Sequence, residues 1–158
     1  MIKYLVVSKF FPTFVNKTEE YMDYLETVED SLRLRRVERG ITPPKEAGMG
    51  GDYTAPTVYR IERHGNYNVS NLFALLADCG LELTFNGSRV GDQRALGVAI
   101  RERRSELGLS QMAVTFKTGL TSSRIIAVEH GRNYWKKTLN AYLEILGATI
   151  SVIDKENG

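Results

Sequence analysis

The chain is poor in the residues that form covalent or metal cross-links. Its 158 residues include one cysteine, Cys79, and two histidines, His64 and His130. A single cysteine excludes a disulfide within the chain, and this set matches no zinc-ligand spacing. Because low cysteine usage fits a reducing compartment, we expect a cytoplasmic protein without a metal.

Long apolar runs and catalytic motifs are also missing from the sequence. No apolar run approaches the roughly 20 residues that span a bilayer. The apolar start MIKYLVV (1–7) lacks a small-residue cleavage site, which favours a strand over a signal peptide. There is no Cys–His pairing, nucleophile elbow or GxxxxGK loop, and GMGGD (48–52) indicates only a flexible turn. We expect no membrane insertion, no enzymatic activity and no cofactor.

Charge is nearly balanced over the whole chain but is unevenly divided. Residues 88–158 carry 11 Lys and Arg against 7 Asp and Glu, whereas residues 1–87 carry 10 against 12. Much of the acidity lies in residues 17–30. A polyanion should therefore prefer the C-terminal half, although this imbalance alone does not indicate nucleic acid.

Two parts of the chain resemble each other. LRLRRVERGIT (32–42) matches IRERRSELGLS (100–110), and residues 61–85 match residues 128–152 with one residue of slippage. The matched residues keep their order and nearly their spacing, which chance rarely supplies.

This repeat predicts three segments. They are an N-terminal strand or arm (1–16), a first copy (17–87) and a second copy (88–158), each copy with helices followed by one strand.

In the second copy, the helix signals are closely spaced. Ser110 is a good N-cap, Gly119 permits a turn, and Thr121 or Ser122 caps a helix that ends at Gly131. A further helix over residues 137–146 leads into the alternating strand ATISVI (148–153).

The first copy follows the same order. It predicts a long helical stretch over residues 16–39, helix starts at TPPKEA (42–47) and TAPTVYRIERH (54–64), and a helix over residues 70–80 before the strand LELTF (81–85).

The order of GLSQ (108–111), Gly119, SSRIIAVEHG (122–131) and TLNAYLEILG (138–147) resembles the Cro/C1-type (XRE-like) helix-turn-helix family. The resemblance covers residues 95–147 and, more loosely, residues 27–80. The helix that runs into GATISV further resembles the HipB-like antitoxin branch, in which such strands pair across a dimer.

The resemblance implies a mainly α fold of tandem, lambda-repressor-like helix-turn-helix bundles. A small antiparallel β-sheet would join them about a pseudo-two-fold axis, with LELTF paired to ATISV within one chain. MIKYLVV would add a strand to an edge of that sheet.

The resemblance also implies how double-stranded DNA is bound. The second helix of the motif enters the major groove, so the base-reading residues would be Ser122, Ser123 and Arg124. Contacts to the DNA backbone would come from Gln111, Thr121, Arg132, Asn133, Lys136 and Lys137. Ile125 and Val128 would face the core.

Members of this family often have a structural ion pair at the two positions that Arg104 and Glu129 occupy here. The first copy keeps both partners as Arg36 and Glu62. The first copy differs at the positions that would contact DNA, however. Pro43 stands at the position of Gln111, and residues 55–57 (Ala, Pro and Thr) stand at the positions of Ser122, Ser123 and Arg124. Thr57, Tyr59 and Arg60 are the candidates for a secondary DNA contact there.

Three functions fit these features. We expect a sequence-specific transcriptional regulator, in particular a repressor, of bacterial or phage origin, with a homodimer as a possible assembly. The alternatives are an antitoxin-like autorepressor and a protein-interaction antiactivator or inhibitor. For these alternatives, residues 1–30 are the candidate surface for a protein partner.

Overall fold

The computed structural model describes residues 4–5, 18–19, 22–43 and 53–155. These residues form a mainly helical fold with a small antiparallel sheet, as expected. In chain order the elements are β1 (Tyr4–Leu5), β2 (Thr18–Glu19), α1 (Glu26–Glu38), α2 (Ala55–Glu62), α3 (Val69–Asp78), β3 (Leu81–Phe85), β4 (Ser88–Val90), α4 (Gln93–Glu106), α5 (Gln111–Thr118), α6 (Ser122–Glu129), α7 (Lys136–Leu146) and β5 (Ile150–Asp154). Within the described ranges, every helix is too short or too polar to cross a membrane.

The central sheet joins the two halves of the chain. β3 lies between β4 and β5 and is antiparallel to both, with Phe85 opposite Ile150 and Leu81 opposite Asp154. The predicted pairing of residues 81–85 with the strand of the second copy within one chain is therefore confirmed. β5 starts two residues later than ATISV, because Thr149 is held by Asn86, whose side-chain oxygen accepts from the Thr149 amide at 2.9 Å.

β4 was not predicted, although its signal is present in the sequence. Asn86 and Gly87 connect β3 to β4 and both adopt positive φ, +49° and +80°. Asn-Gly is the preferred pair for such a two-residue hairpin turn, because its twist matches that of the flanking strands.

The N-terminal region differs from the prediction of one long helix over residues 16–39. Thr18–Glu19 is a strand paired with Tyr4–Leu5, and α1 begins only at Glu26. Asp23 precedes the helix and accepts a hydrogen bond from the backbone N–H of Leu25 at 2.9 Å, which fixes the chain in a turn there.

Tyr4–Leu5 also does not extend the central sheet, contrary to the prediction for MIKYLVV. The rest of that segment lies outside the described residues, as do GMGGD and most of TPPKEA.

Equivalent residues of the two copies pair with each other at two places. Asn68 forms an isolated antiparallel bridge with Trp135, and Thr84 lies opposite Ser151 in the sheet. Both pairs are 67 residues apart in sequence, and the two hydroxyl oxygens of the second pair are 2.6 Å apart. One hydrophobic core contains buried residues from both halves.

Candidate nucleic-acid interface

Two short helices, α5 and α6, are separated only by residues 119–121. The Ser110 hydroxyl accepts from the N–H of Ala113 at 3.0 Å and caps α5, whereas the Thr121 hydroxyl accepts from the N–H of Arg124 at 3.3 Å and caps α6. Gly119 has a φ of +75°, in the left-handed region where a side chain is strained. The predicted caps and turn are confirmed, and Thr121 rather than Ser122 is the N-cap.

α6 has one buried face and one open face. Ile125 and Val128 are completely buried, as predicted, while Ser122, Ser123 and Arg124 are exposed in its first turn. That turn contains no acidic residue, so the positive end of the helix dipole is not neutralised. The three predicted base-reading residues therefore lie together on an accessible helix end that carries the positive charge of Arg124.

An ion pair between Arg104 and Glu129 fixes α6 against α4. Two parallel hydrogen bonds of 2.9 and 3.0 Å join the guanidinium to the carboxylate, and a third N–H of Arg104 donates to the Leu109 carbonyl at 2.9 Å. The hydroxyl of Tyr142 and the amide of Gln111 also donate to Glu129, at 2.5 and 3.2 Å.

The pKa of Glu129 reflects this environment. Burial alone would raise the pKa of Glu129, but the bonds from Arg104, Tyr142 and Gln111 outweigh burial and lower it. Glu129 is therefore charged at neutral pH. Gln111, expected at the DNA backbone, is half-buried and uses its side-chain N–H in this network.

The loop after α6 and the first turn of α7 carry three of the predicted backbone-contacting residues on the surface. Arg132, Asn133 and Lys137 are exposed. The loop itself is held by Gln93, whose side chain donates to the Arg132 carbonyl at 2.8 Å. Its position is thus fixed while its charged side chains remain available.

Lys136 has a different environment from the one predicted. Its side chain is only 3% exposed, and its ammonium lies 2.6 Å from Asp23 Oδ2 and 2.8 Å from Glu29 Oε2. It therefore cannot contact a phosphate in this structure. The sequence did not distinguish Lys136 from Lys137, because successive helical residues point about 100° apart and only packing decides which is buried.

Lys136 belongs to a cluster that connects the two halves, here called the junction cluster: Asp23, Glu29, His64, Tyr67 and Lys136. Glu29 is completely buried and also accepts from the Tyr67 hydroxyl at 2.6 Å, with His64 Nδ1 2.7 Å away. Burial raises the pKa of Glu29, whereas the hydrogen bonds from Lys136, Tyr67 and His64 lower it. Burial has the larger effect, so the pKa of Glu29 is raised overall. For His64, burial lowers the pKa, but the bond and charge of Glu29, together with the charges of Asp30 and Glu26, outweigh burial and raise it.

The oxygen and nitrogen atoms of Asp23, Glu29 and His64 are close enough to hold a metal ion. The Lys136 ammonium, however, already lies against both carboxylates and supplies the positive charge there. We therefore assign no metal to this cluster.

The junction cluster was missed by the sequence analysis. Lys136 and Glu29 are 107 residues apart, and no spacing rule connects residues at that separation. One indirect signal existed, since His64 occupies the position of Gly131 in the repeat. Both residues have positive φ, +62° and +66°, which is uncommon for a histidine.

The first copy has an Arg–Glu ion pair equivalent to the one that supports α6, but its exposed residues differ. Arg36 pairs with Glu62 through two hydrogen bonds, and its third N–H donates to the Ile41 carbonyl at 2.9 Å, so both predicted structural ion pairs are present. Thr57 is half-buried, with its hydroxyl 3.3 Å from that of Thr54. Tyr59 and Arg60, in contrast, are exposed on α2.

Comparisons with protein-family models, with curated proteins and with solved structures find no match to this chain. The functional argument therefore depends on the geometry of the chain itself.

Proposed function

We propose that this protein is a sequence-specific double-stranded DNA-binding transcriptional regulator that reads DNA through α6. The observation that carries this proposal is the first turn of α6, where Ser122, Ser123 and Arg124 are exposed together on a helix fixed by a buried ion pair. A rigid, cationic helix end with hydroxyl and guanidinium groups suits the edges of bases in the major groove.

We further propose that the chain is a tandem pair of helix-turn-helix units related by a pseudo-two-fold axis. The two 67-residue pairings, Asn68 with Trp135 and Thr84 with Ser151, support this arrangement, because a two-fold axis brings equivalent residues together. The matching Arg–Glu pairs of both halves support it as well.

Repression is the simplest regulatory outcome, since a bound protein of this kind blocks access to the DNA it covers. The proposal places the protein in the cytoplasm of a bacterium or in a phage-infected cell, with a homodimer as a further possible assembly.

One observation favours a second candidate, in which a protein partner is bound as in an antitoxin or an antiactivator. Met112 and Phe116 lie one turn apart on α5 and are 76% and 89% exposed. Large apolar side chains so exposed are typical of interaction surfaces. The acidic segment 17–30 supports this candidate less than expected, because Asp23 and Glu29 are engaged by Lys136.

Selection of bound sequences from random duplex DNA, followed by titration at several salt concentrations, tests the first proposal. We expect a defined consensus and an affinity that falls steeply with salt. Arg124→Ala should cost about 1–3 kcal/mol of specific binding and relax one base position. The matched control Lys137→Ala should weaken all duplexes alike. An unchanged consensus for Arg124→Ala would refute the assignment of α6.

A further inference from the structure

We infer that α2 reads a second, unlike half-site, so that one chain occupies one asymmetric two-part DNA site. This inference rests on the proposed function. Its starting point is the equivalence of α2 and α6: each precedes by six residues a member of the Asn68–Trp135 bridge. The two helices therefore occupy equivalent positions in the chain relative to this bridge.

The arginine that supports each of the two helices is also equivalent. Arg36 donates to Glu62 of α2 and to the carbonyl of the loop residue Ile41. In the same way, Arg104 donates to Glu129 of α6 and to the carbonyl of the loop residue Leu109. Of the altered residues of the first copy, Pro56 is exposed, Ala55 and Thr57 are half-buried and Pro43 is buried, whereas the internal ion pair is kept.

The outer surface of α2 has its own DNA-binding chemistry. Its first turn presents Ala55, Pro56 and the half-buried Thr57, which offer few groups to bases. One turn further, Tyr59, Arg60 and Arg63 are exposed. The single acidic residue of α2, Glu62, is engaged by Arg36, so this surface is cationic. Arginine favours guanine O6 and N7, so the second half-site should be guanine-containing and differ from the first.

The two reading surfaces are held at a fixed separation. The junction cluster and the β3–β5 pairing both cross between the halves, and backbone hydrogen bonds of 3.0 and 2.8 Å join Val69 to Tyr134 and Lys136 to Tyr67. Two-fold-related reading helices meet half-sites one helical turn apart, about 10 base pairs, or a multiple of that spacing. A rigid chain should select one such spacing.

The test is selection of bound sequences with the full chain, combined with native mass spectrometry of the selected duplex. We expect two unlike sequence blocks at constant spacing and one chain per duplex. Arg60→Ala should weaken the intact site roughly 5- to 150-fold and erase only the second block. Arg60→Lys should also lose that block while keeping its salt dependence, because lysine retains the charge but not the two-pronged contact.

The control is Arg89→Ala, which removes an exposed charge from β4 and should leave both blocks intact. A single block erased by Arg124→Ala alone, or a palindrome holding two chains, would overturn this inference and leave the proposed function standing. No enriched sequence at all would overturn both.

Discussion

At the scale of single residues, Glu129 shows how one carboxylate fixes the position of α6. It is nearly completely buried and accepts hydrogen bonds from Arg104, Gln111 and Tyr142. A buried ion pair of this kind fixes geometry more surely than it adds stability, but removal of one partner leaves the other charge uncompensated.

Glu129→Ala should therefore lower the free energy of unfolding by about 3–5 kcal/mol, since Arg104 would remain buried without its partner. Urea unfolding measures this loss. Glu106→Ala, on the exposed end of α4, is the control and should change stability by less than about 0.5 kcal/mol. Equal urea midpoints for the two variants would show that the Arg104–Glu129 ion pair does not hold the structure as described.

His64 predicts a pH dependence of stability. Its pKa is raised in the folded state, so its contribution is fully present below the unfolded value, about 6.5, and is lost as pH rises through the folded value. The pKa of Glu29 is also raised in the folded state, so its contribution to stability is likewise lost as pH rises.

The parent protein should therefore become less stable as pH rises above about 6.5, the unfolded value of His64. His64→Asn, which tolerates the positive φ, should flatten that change in urea midpoint. An identical pH profile for parent and His64→Asn would contradict the assignment.

At the scale of elements, α4 and α6 approach closely because Gly97 has no side chain. A Cβ at this position would lie 2.5 Å from the Glu129 carbonyl oxygen and 2.6 Å from that of Val128. These are backbone atoms, which cannot move without displacing α6.

Gly97→Ala should therefore destabilise the protein and also weaken DNA binding, although alanine favours a helix interior by about 1 kcal/mol. Gly147→Ala provides a matched comparison. Its Cβ would meet no atom within 4 Å, so only the left-handed backbone at φ +57° carries a cost there, about 1–2 kcal/mol. DNA affinity of Gly147→Ala should stay at the parental level, and a similar loss in both variants would argue against close α4–α6 packing as the cause.

At the scale of the whole molecule, the junction cluster makes one unit of two copies. Lys136 begins α7 in the C-terminal half, and its ammonium lies between carboxylates of the N-terminal half. Its removal would leave Glu29 buried without a cationic partner from α7.

Lys136→Met should cost about 3–5 kcal/mol and separate the unfolding of the two halves. Trp135, the single tryptophan, lies beside the cluster and reports on this junction by fluorescence, while circular dichroism follows all helices. The two signals should coincide in the parent and diverge in the variant. Lys137→Met, whose side chain is exposed, should behave as the parent does; a coincident, parental transition for Lys136→Met would show that the cluster does not couple the halves.

Much of the local structure was determined by the sequence itself. The caps at Ser110 and Thr121 and the turn at Gly119 follow from short spacings, whereas the two Arg–Glu pairs were expected from the family resemblance and from their repetition in both copies. Such features depend on interactions within one motif, which a residue pattern encodes directly.

Only the tertiary structure decided which charges are buried. Lys136 and Lys137 are equivalent in sequence, yet one is buried against Glu29 and the other is exposed. Likewise, α1 starts at Glu26 rather than near residue 16, and Asp23 just before it is held by Lys136, 113 residues away. The physical reason is that burial and ion pairing depend on neighbours brought together by packing, and no period along one chain specifies those neighbours.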